Sequence, residues 1–506
     1  MKAMPLFSRR GAGPTLSTLA LGLAVAITSV APVHAQSVFR QLSQDTFTNS
    51  SSQHKSEVEP GALAVGPVIV TAFQVARIFS GGGADIGWAT SLNGGISWTN
   101  GYLPGLTENG PGGGPNSAAS DAAVAYDAKH GVWLICTLPI GNYDTVAVST
   151  SADGIHWNNP VYVIQNRDAD KNWIACDSTP TSPYYGNCYV EFDDPDVGDL
   201  LYMSTSTDGG QTWSTPVTTA NEDYGIGGNP LVQPNGTVVV PFADFDGGMS
   251  SFVSTNGGQS WTGAIQIAQA PSHEEDGDLR SAGLPSAAID GAGTVYTSWS
   301  DCSFESDCSA NDIVYSSSTD GVHWTAKVRI PLDPIGSGVD HFINGMGIDI
   351  STSGSTAHMA MTYYLYPNTN CGNSCELAAG FSLTDNGGTT WTAGRRLSGE
   401  MQLTWLPNTF SGYMVADYVA TVFPAGGRAF PIYAMALPPV GSVLQEAIYT
   451  SSYGYTKDEM NEPMMSSAGE KPIPGIKSDH PARARGDVDN LPPNRRSEGV
   501  PPNQKN

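Results

Sequence analysis

The segment STDGGQTW, at residues 206–213, is one of six short segments that end in tryptophan and decide the fold. The other five are SLNGGISW (91–98), SADGIHW (151–157), STNGGQSW (254–261), STDGVHW (318–324) and TDNGGTTW (384–391). A segment that recurs at intervals of this kind predicts an array of similar structural units.

Each segment is predicted to form a β-hairpin turn. Its Asp or Asn side chain can accept hydrogen bonds from backbone N–H groups of the turn, and its glycines supply positive φ angles. Around the fifth segment, four runs alternate as strands do: 284–293, 294–300, 312–319 and 326–331. The same four-strand frame fits all six segments, so the sequence predicts an all-β chain.

The repeated segment resembles the Asp-box, or BNR repeat, of sialidases and related β-propellers. The resemblance extends over about 55–450 and implies a β-propeller of four-stranded blades, with the repeated turn between the third and fourth strands of each blade. Residues 284–302 and 414–434 also resemble secreted bacterial proteins grouped as sialidase-family or BNR-repeat proteins.

A seventh set of strands follows the last repeat, without a repeated turn, at 414–423, 429–436 and 444–452. It lacks a fourth strand, and residues 37–47 form an unassigned strand-like run at the other end of the chain. We expect this run to complete the last blade, which leaves no sheet edge bare. The propeller domain is therefore predicted at 36–454 with seven blades, six being the alternative.

Both ends of the chain differ from this domain. Lys2, Arg9 and Arg10 precede an apolar run, and Val33-His34-Ala35 offers a cleavage site, so residues 1–35 are predicted to be a secretory signal peptide. Residues 455–506 are polar, rich in proline and without periodicity, and we expect a disordered tail. The mature protein is predicted to be secreted, outside the cell or in the periplasm.

The seven cysteines fit export. Six fall into short-range pairs, Cys176 with Cys188, Cys302 with Cys308, and Cys371 with Cys375, while Cys136 is left over. In an oxidising compartment each pair is expected to form a disulfide.

The net charge of the chain is −25, and residues 36–450 carry 40 acidic but only 12 basic residues. Binding to nucleic acid or to an anionic membrane needs clustered Lys and Arg, so these partners are disfavoured. Only one run, Leu16–Val30 in the signal region, is strongly apolar, so no membrane span is expected. We expect a monomer whose partner is an extracellular glycan.

The propeller topology sorts the loops onto two faces. The repeated turns share one face and are interpreted as scaffold. The loops between strands 2 and 3, and the crossovers between blades, lie on the other face, where a propeller usually binds its ligand near the axis. Most of the excess acidic residues fall on this second face.

Glycoside hydrolysis needs a proton donor and a nucleophile or base, typically two carboxylates. Glu274 and Glu275 lie with further acids on one crossover, where crowding of like charges raises some pKa values and suits a general acid.

The resemblance to sialidases implies a different set of catalytic groups: a Tyr nucleophile with a Glu beside it, an Asp acid/base, and three arginines on the substrate carboxylate. Glu274 or Glu275 would assist Tyr364, Tyr366 or Tyr418, and Asp85 or Asp121 would be the acid/base. The arginines on the predicted face are Arg77, Arg167 and Arg280.

A second chemistry is cation binding. Asp193, Asp194, Asp196 and Asp199 offer clustered oxygen ligands of the kind that Ca²⁺ prefers. No cofactor is expected to be required, and calcium would be structural.

These observations predict a secreted, sialidase-like propeller that acts on carbohydrate as an exo-acting glycoside hydrolase, with exo-α-sialidase as one specific form. The alternative is a non-catalytic propeller that binds glycan or protein.

Overall fold

The computed structural model describes residues 39–141, 145–165, 167–281 and 283–461. The fold is all-β and consists of antiparallel sheets, which is consistent with a propeller-like arrangement. The predicted signal peptide, and the tail beyond Asn461, lie outside the described residues. No helix in the described ranges is both long and apolar enough to cross a membrane.

The first half of the chain forms four sets of strands. β1 (Phe39–Gln41) comes first, followed by set 1 with β2 (Glu57–Val65), β3 (Val68–Arg77), β4 (Gly83–Ser91) and β5 (Thr99–Tyr102). Set 2 has β6 (Ala118–Asp127), β7 (Val132–Ile140), β8 (Ala147–Ser151) and β9 (Val161–Tyr162). Set 3 has β10 (Asp170–Cys176), β11 (Cys188–Asp194), β12 (Leu200–Ser206) and β13 (Val217–Thr218). Set 4 has β14 (Gly225–Ile226), β15 (Leu231–Val232), β16 (Val238–Asp244), β17 (Gly248–Ser254) and β18 (Ile265–Gln269).

The second half continues the series. Set 5 has β19 (Ser286–Ile289), β20 (Val295–Asp301), β21 (Asp312–Ser318) and β22 (Val328–Arg329). Set 6 has β23 (Asp340–Ile348), β24 (Met359–Tyr366), β25 (Glu376–Thr384), β26 (Arg395–Arg396) and β27 (Met401–Gln402). A hairpin of β28 (Asn408–Thr409) and β29 (Gly412–Tyr413) follows, then set 7 with β30 (Ala420–Val422), β31 (Phe430–Ala436) and β32 (Glu446–Ser451).

Helices are few and short. The one α-helix in the described ranges is α1 (Lys457–Asn461), and short 3₁₀ turns lie at Pro195–Val197, Ser306–Cys308, Gly354–Thr356, Gly372–Ser374 and Leu403–Trp405.

The first and last strands of the described chain pair with each other. β1 lies antiparallel to β32, with Phe39 opposite Ser451 and Gln41 opposite Tyr449. It is the fourth strand of set 7, whose order is β1-β32-β31-β30. This is the pairing that the ring-closure prediction requires.

The repeated segments share one turn geometry. In the third, Gly210 donates its N–H to Ser206 Oγ at 3.0 Å, and Thr212 donates to Asp208 Oδ1 at 2.9 Å. Equivalent bonds recur in the other segments, for example from Gly321 N–H to Ser318 Oγ and from His323 N–H to Asp320 Oδ1. The side-chain acceptors therefore satisfy the backbone of the turn, as predicted.

Set 7, which was expected to lack this turn, carries part of it. Gly454 has a φ of +63° and donates its N–H to Ser451 Oγ at 2.9 Å, as the repeated glycines do. Tyr453 stands where the acceptor Asp or Asn would be, and its carbonyl instead accepts from Arg428 Nε. This turn was not recognised in the sequence because the acidic residue and the tryptophan of the repeated segment are both replaced there.

The folded body extends past the predicted boundary at residue 454. Tyr455 is buried and exchanges two backbone hydrogen bonds with Ala429, at 2.8 and 2.9 Å. Arg428 forms an ion pair with Glu459 at 2.7 Å in α1. An aromatic anchor and an ion pair thus hold residues 455–461 against set 7.

All three predicted disulfides are present, and Cys136 is buried and unpaired. Cys176 and Cys188 are opposite each other in β10 and β11, so this bond joins the first two strands of set 3, as predicted.

Candidate functional site

A central cavity of about 340 Å³ is lined by the first strands of all seven sets, or by the segments that lead into them. One lining residue from each set, in chain order, is Leu63, Ala125, Ile174, Leu231, Ala287, Ile348 and Val422. Convergence of the first strands on one cavity is what a propeller-like arrangement predicts.

The two ends of this cavity differ. At one end Asp121, Lys171 and Tyr418 line it, and all three are buried. Toward the other end lies Ile350, which is 69% exposed and belongs to the turn between β23 and β24. Turns of this type touch the repeated turns, since Gly94 N–H donates to the carbonyl of Pro67 at 2.8 Å. The cavity therefore opens on the face of the repeated turns, whereas the sequence analysis expected an opening on the other face.

The buried end is built from irregularities in the first strands. The ladders shift register around Glu59 in β2, Asp121 in β6, Lys171 in β10 and Ile343 in β23. These four residues have φ values of 55°, 48°, 46° and 47°, which side chains with a Cβ rarely adopt. A β-bulge changes the direction in which its side chain points. The strained backbone at these four residues persists only because the surrounding structure holds it in place.

Three of these re-aimed side chains meet a fourth one from set 7. Lys171 Nζ donates to Asp417 Oδ2 at 2.5 Å and to Asp121 Oδ1 at 3.3 Å, and it lies 3.9 Å from Glu59 Oε1. Arg280, from the crossover between sets 4 and 5, completes what we call the central charge cluster: Glu59, Asp121, Lys171, Arg280 and Asp417.

Arg280 binds Asp417 at two points. Its Nε donates to Asp417 Oδ1 at 2.8 Å, and its Nη2 donates to Asp417 Oδ2. Arg280 Nη1 also donates to Ser411 Oγ at 3.3 Å, in the hairpin that precedes set 7. A two-point guanidinium–carboxylate pair fixes both orientation and charge.

The pKa values of two acids of the cluster are shifted in opposite directions. Burial, reinforced by the charge of Asp417, raises the pKa of Glu59 well above its usual range. Burial would also raise the pKa of Asp417, but the charges of Arg280 and Lys171 outweigh it and hold that pKa below its usual range. The pKa values of two neighbouring carboxyl groups are thus moved in opposite directions, an arrangement typical of acid–base sites.

Lys171 stays charged in spite of its burial. Desolvation opposes the ammonium form, but the carboxylates of Asp121, Asp417 and Glu59 raise its pKa well above the usual value. The ammonium group therefore serves as a permanent counter-charge at the closed end of the cavity.

Tyr418 lies beside the cluster. Its ring packs edge-on against Trp173, with 5.2 Å between the ring centroids, and its hydroxyl makes no hydrogen bond in the described part of the chain. Burial and the charges of Glu59 and Asp121 raise its pKa well above the usual value. The resting side chain is a neutral phenol.

Three of the predicted catalytic and substrate-binding residues come together in or beside the cluster: Asp121, Arg280 and Tyr418. The sequence analysis missed Glu59, Lys171 and Asp417. Glu59 lies in β2, Lys171 lies in β10, and Asp417 lies three residues before β30, so a charged residue in or next to a first strand was the available signal.

The predicted arginine fork does not form. Arg77 is fully buried, and it donates Nη1 to the carbonyl of Gly82 at 2.7 Å and Nε to Met414 Sδ at 3.0 Å. Arg167 pairs with Asp194 at 2.9 Å and stacks over Tyr202 at 4.3 Å. Because Arg77, Arg167 and Arg280 hold different partners, they do not converge on one carboxylate.

The two predicted glutamates also lie apart from the cluster. Glu274 is exposed. Glu275 accepts a hydrogen bond from Asn311 Nδ2 at 3.1 Å, and burial together with the nearby charge of Asp340 raises its pKa to about 8. Asp340 in turn contacts His273 Nδ1 at 3.1 Å. This group anchors the crossover to set 6.

The remaining predicted groups are packed in the interior. Asp85 is fully buried in β4, and burial raises its pKa well above the usual value. Tyr364 donates its hydroxyl proton to the carbonyl of Ala434 at 2.7 Å, and Tyr366 donates to the carbonyl of Asp276 at 3.0 Å. One hydroxyl thus satisfies a carbonyl of β31, and the other satisfies a carbonyl of the crossover before set 5.

The predicted calcium ligands point in different directions. Asp193 and Asp194 are successive residues of β11, so their side chains leave opposite faces of the sheet. Asp194 Oδ2 is taken by Arg167, Asp196 is exposed, and Asp193 lies near Asp170 and Asp199. Elsewhere in the described residues, Asp312, Asp333 and His341 lie close enough to share a metal ion, but Arg329 pairs with both aspartates.

No protein-family model and no curated protein matches the chain. Among solved structures, it is similar to a protein of unknown function from Dyadobacter fermentans, at 15% identity and a TM-score of 0.44, covering 69% of this chain and 99% of that one. It is also similar to the NanB sialidase of Streptococcus pneumoniae, at 12% identity and a TM-score of 0.41, covering 81% and 69% of the two chains. A third is an ulvan lyase from a polysaccharide lyase family, at 10% identity and a TM-score of 0.45, covering 83% and 99%.

Proposed function

We propose that the chain is a secreted, sialidase-like propeller of seven blades that acts on extracellular carbohydrate as an exo-acting glycoside hydrolase. The observation that carries this proposal is the closed end of the central cavity. There Tyr418 and Asp121 line the cavity, next to two carboxyl groups, Glu59 and Asp417, whose pKa values are shifted in opposite directions.

Contacts between neighbouring sets support the seven-bladed ring. A Cβ on Gly210 would meet Leu134 of set 2 at 2.8 Å, and one on Gly258 would meet Tyr189 of set 3 at 2.9 Å. A Cβ on Gly95 of set 1 would meet Phe430 of set 7 at 2.4 Å. The repeated turn of each set thus abuts the preceding set, with the last set preceding the first.

The cluster supplies the groups that cleavage of a glycosidic bond needs. We assign Tyr418 as the nucleophile that attacks the anomeric carbon, and Asp121 as the acid–base residue. Because Tyr418 rests as a phenol, its proton passes to a second carboxylate of the cluster as the C–O bond to the sugar forms, while Asp121, in its acid form, gives a proton to the departing oxygen. Water then hydrolyses the glycosyl-tyrosine. Lys171 and Arg280 keep Asp417 ionised beside the developing positive charge.

A closed end also explains an exo mode of action. A chain entering from the repeated-turn face meets the buried cluster and cannot pass through, so only its terminal sugar reaches Tyr418.

The test is hydrolysis of a panel of chromogenic glycosides, including a sialoside, with and without EDTA. We expect turnover of at least one substrate and a fall in kcat of roughly 100-fold or more in Asp121→Asn, the range for loss of a general acid–base group. Glu274→Gln is the matched control, since this acid is exposed and outside the cluster. Absence of turnover by folded wild-type protein on the whole panel overturns the proposal.

The second candidate is a non-catalytic binding propeller. It is favoured by the separation of the three arginines and by the mutual pairing of the cluster's charges. Intact binding to a glycan array, without hydrolysis, would decide for it.

A further inference from the structure

The walls and the closed end of the central cavity have different chemistry. The walls are largely apolar and include Leu63, Ile174, Leu231 and Ile348. The polar groups gather at the closed end, where Asn172 Oδ1 and the hydroxyl of Tyr418 make no hydrogen bond in the described residues. Buried polar atoms are normally paired, so these two mark the closed end as a polar region, in contrast to the apolar walls.

The contrast between apolar walls and a polar closed end limits what the cavity can bind. A sugar ring carries several hydroxyl groups that all need partners, and such partners are concentrated where Asp121, Lys171, Asn172 and Tyr418 meet. Further along, a second sugar ring would lose its hydrogen bonds to water and find few replacements, a cost of roughly 1–3 kcal/mol for each unpaired group. An apolar group would instead gain from burial along the same walls.

We infer that the central cavity holds the apolar aglycone of a glycoside, an aryl or alkyl group, while the single sugar lies at the closed end. This inference rests on the proposed function and adds the substrate class. The cavity volume of about 340 Å³ lies within the range of small-molecule pockets, roughly 300–1,000 Å³. A substrate of this class is a sugar linked to a hydrophobic alcohol or phenol, in contrast to an oligosaccharide.

The first experiment compares benzyl and methyl glycosides of the sugar that the panel identifies. Benzyl alcohol and methanol are similarly weak acids, so leaving-group chemistry changes little and the comparison reports the apolar contact. We expect KM to be at least tenfold lower for the benzyl glycoside, the size that burial of one phenyl ring implies. Equal KM values for the two would overturn the inference while leaving hydrolysis in place.

A variant that fills the cavity tests whether the benzyl group binds there. Ala287 lines the cavity in β19, and Ala287→Phe should abolish the preference for the benzyl glycoside. Ala152→Phe, at an exposed position of a repeated turn, is the matched control and should keep it. Ala64→Phe fills the cavity from set 1, and serves if Ala287→Phe does not fold.

Calorimetric titration with 1-naphthol, which carries no sugar, separates the two proposals. We expect one site per chain in wild type and in Ala152→Phe, and none in the cavity-filling variant. Binding of this kind without turnover of any glycoside would support the apolar pocket and overturn the hydrolase. Failure of wild type to bind 1-naphthol would overturn the apolar pocket, whatever the outcome of the glycoside panel.

Discussion

Arg280 and Asp417 are 137 positions apart in sequence and form a two-point ion pair at the closed end of the central cavity, with Nε and Oδ1 2.8 Å apart. The same carboxylate accepts from Lys171 Nζ at 2.5 Å. One buried aspartate of set 7 therefore holds a side chain of set 3 and a crossover between sets 4 and 5. The pair joins parts of the chain that no local signal connects.

Loss of the Asp417 charge should be strongly destabilising. In Asp417→Asn two buried cations lose their shared carboxylate, and breaking a buried ion pair on one side costs about 3–5 kcal/mol. Urea unfolding followed by circular dichroism measures this change. Asp385→Asn, which affects an exposed pair with Lys457, is the control and should cost less than about 1 kcal/mol. Similar losses in both variants would mean that the cluster does not depend on Asp417.

Stability should also fall as pH rises because of Glu57. Burial raises the pKa of this carboxyl to about 8, against 4.5 when unfolded, while Ser43 Oγ donates to it at 2.7 Å. Between these values the unfolded chain releases a proton that the folded chain keeps, so the free energy of unfolding decreases with pH and levels off above about 8.

Glu57→Gln removes this titration. We expect a gain in stability relative to wild type that is absent near pH 4 and grows to about 2 kcal/mol or more at pH 8, since each pKa unit corresponds to about 1.4 kcal/mol. Urea unfolding at several pH values measures it, with Glu400→Gln at an exposed ion pair as control. Parallel pH profiles for wild type and Glu57→Gln would contradict the assignment.

The sequence predicted the periodic part of the fold and little of the central cluster. The repeated turns were visible because their Asp, Gly and Trp residues act within a few positions of one another. Even the weakened turn at Ser451–Gly454 escaped notice once two of those residues were replaced. Cysteine spacing predicted the three disulfides for the same reason, since each closes a short loop.

Glu59, Lys171 and Asp417 could not be placed in this way. Their meeting depends on the bulges at Glu59 and Lys171, where a shift of one residue decides which side chain turns inward. Arg77 was predicted to bind substrate. It does lie next to a loop, as expected, but its guanidinium group points into the interior, where it is buried and donates to the backbone carbonyl of Gly82.

Packing between sets should make two turn glycines respond differently to substitution. Gly94 and Gly258 both have positive φ, at 68° and 81°, so alanine strains the backbone at either position. A Cβ at Gly94 meets nothing within 4 Å, whereas at Gly258 it would lie 2.3 Å from Thr205 Oγ1 and 2.9 Å from Tyr189. We expect Gly258→Ala to lose at least about 2 kcal/mol more than Gly94→Ala in urea unfolding, because overpacking adds roughly 1–3 kcal/mol. Equal losses would show that the turn does not press against set 3.

Thiol titration should distinguish Cys136 from the other six cysteines. Its side chain is fully buried, Asn172 Nδ2 donates to its sulfur at 3.2 Å, and burial raises its pKa well above the usual value, so the reactive thiolate is scarce in the folded protein. With Ellman's reagent and no reductant, we expect no reaction in buffer and one thiol per chain in 6 M guanidinium chloride. Cys136→Ser should remove that single thiol, and reductant should expose six more in the unfolded wild type. More than one thiol before reduction would mean that at least one of the three disulfides does not form. A reaction in buffer would mean that Cys136 is accessible in the folded protein.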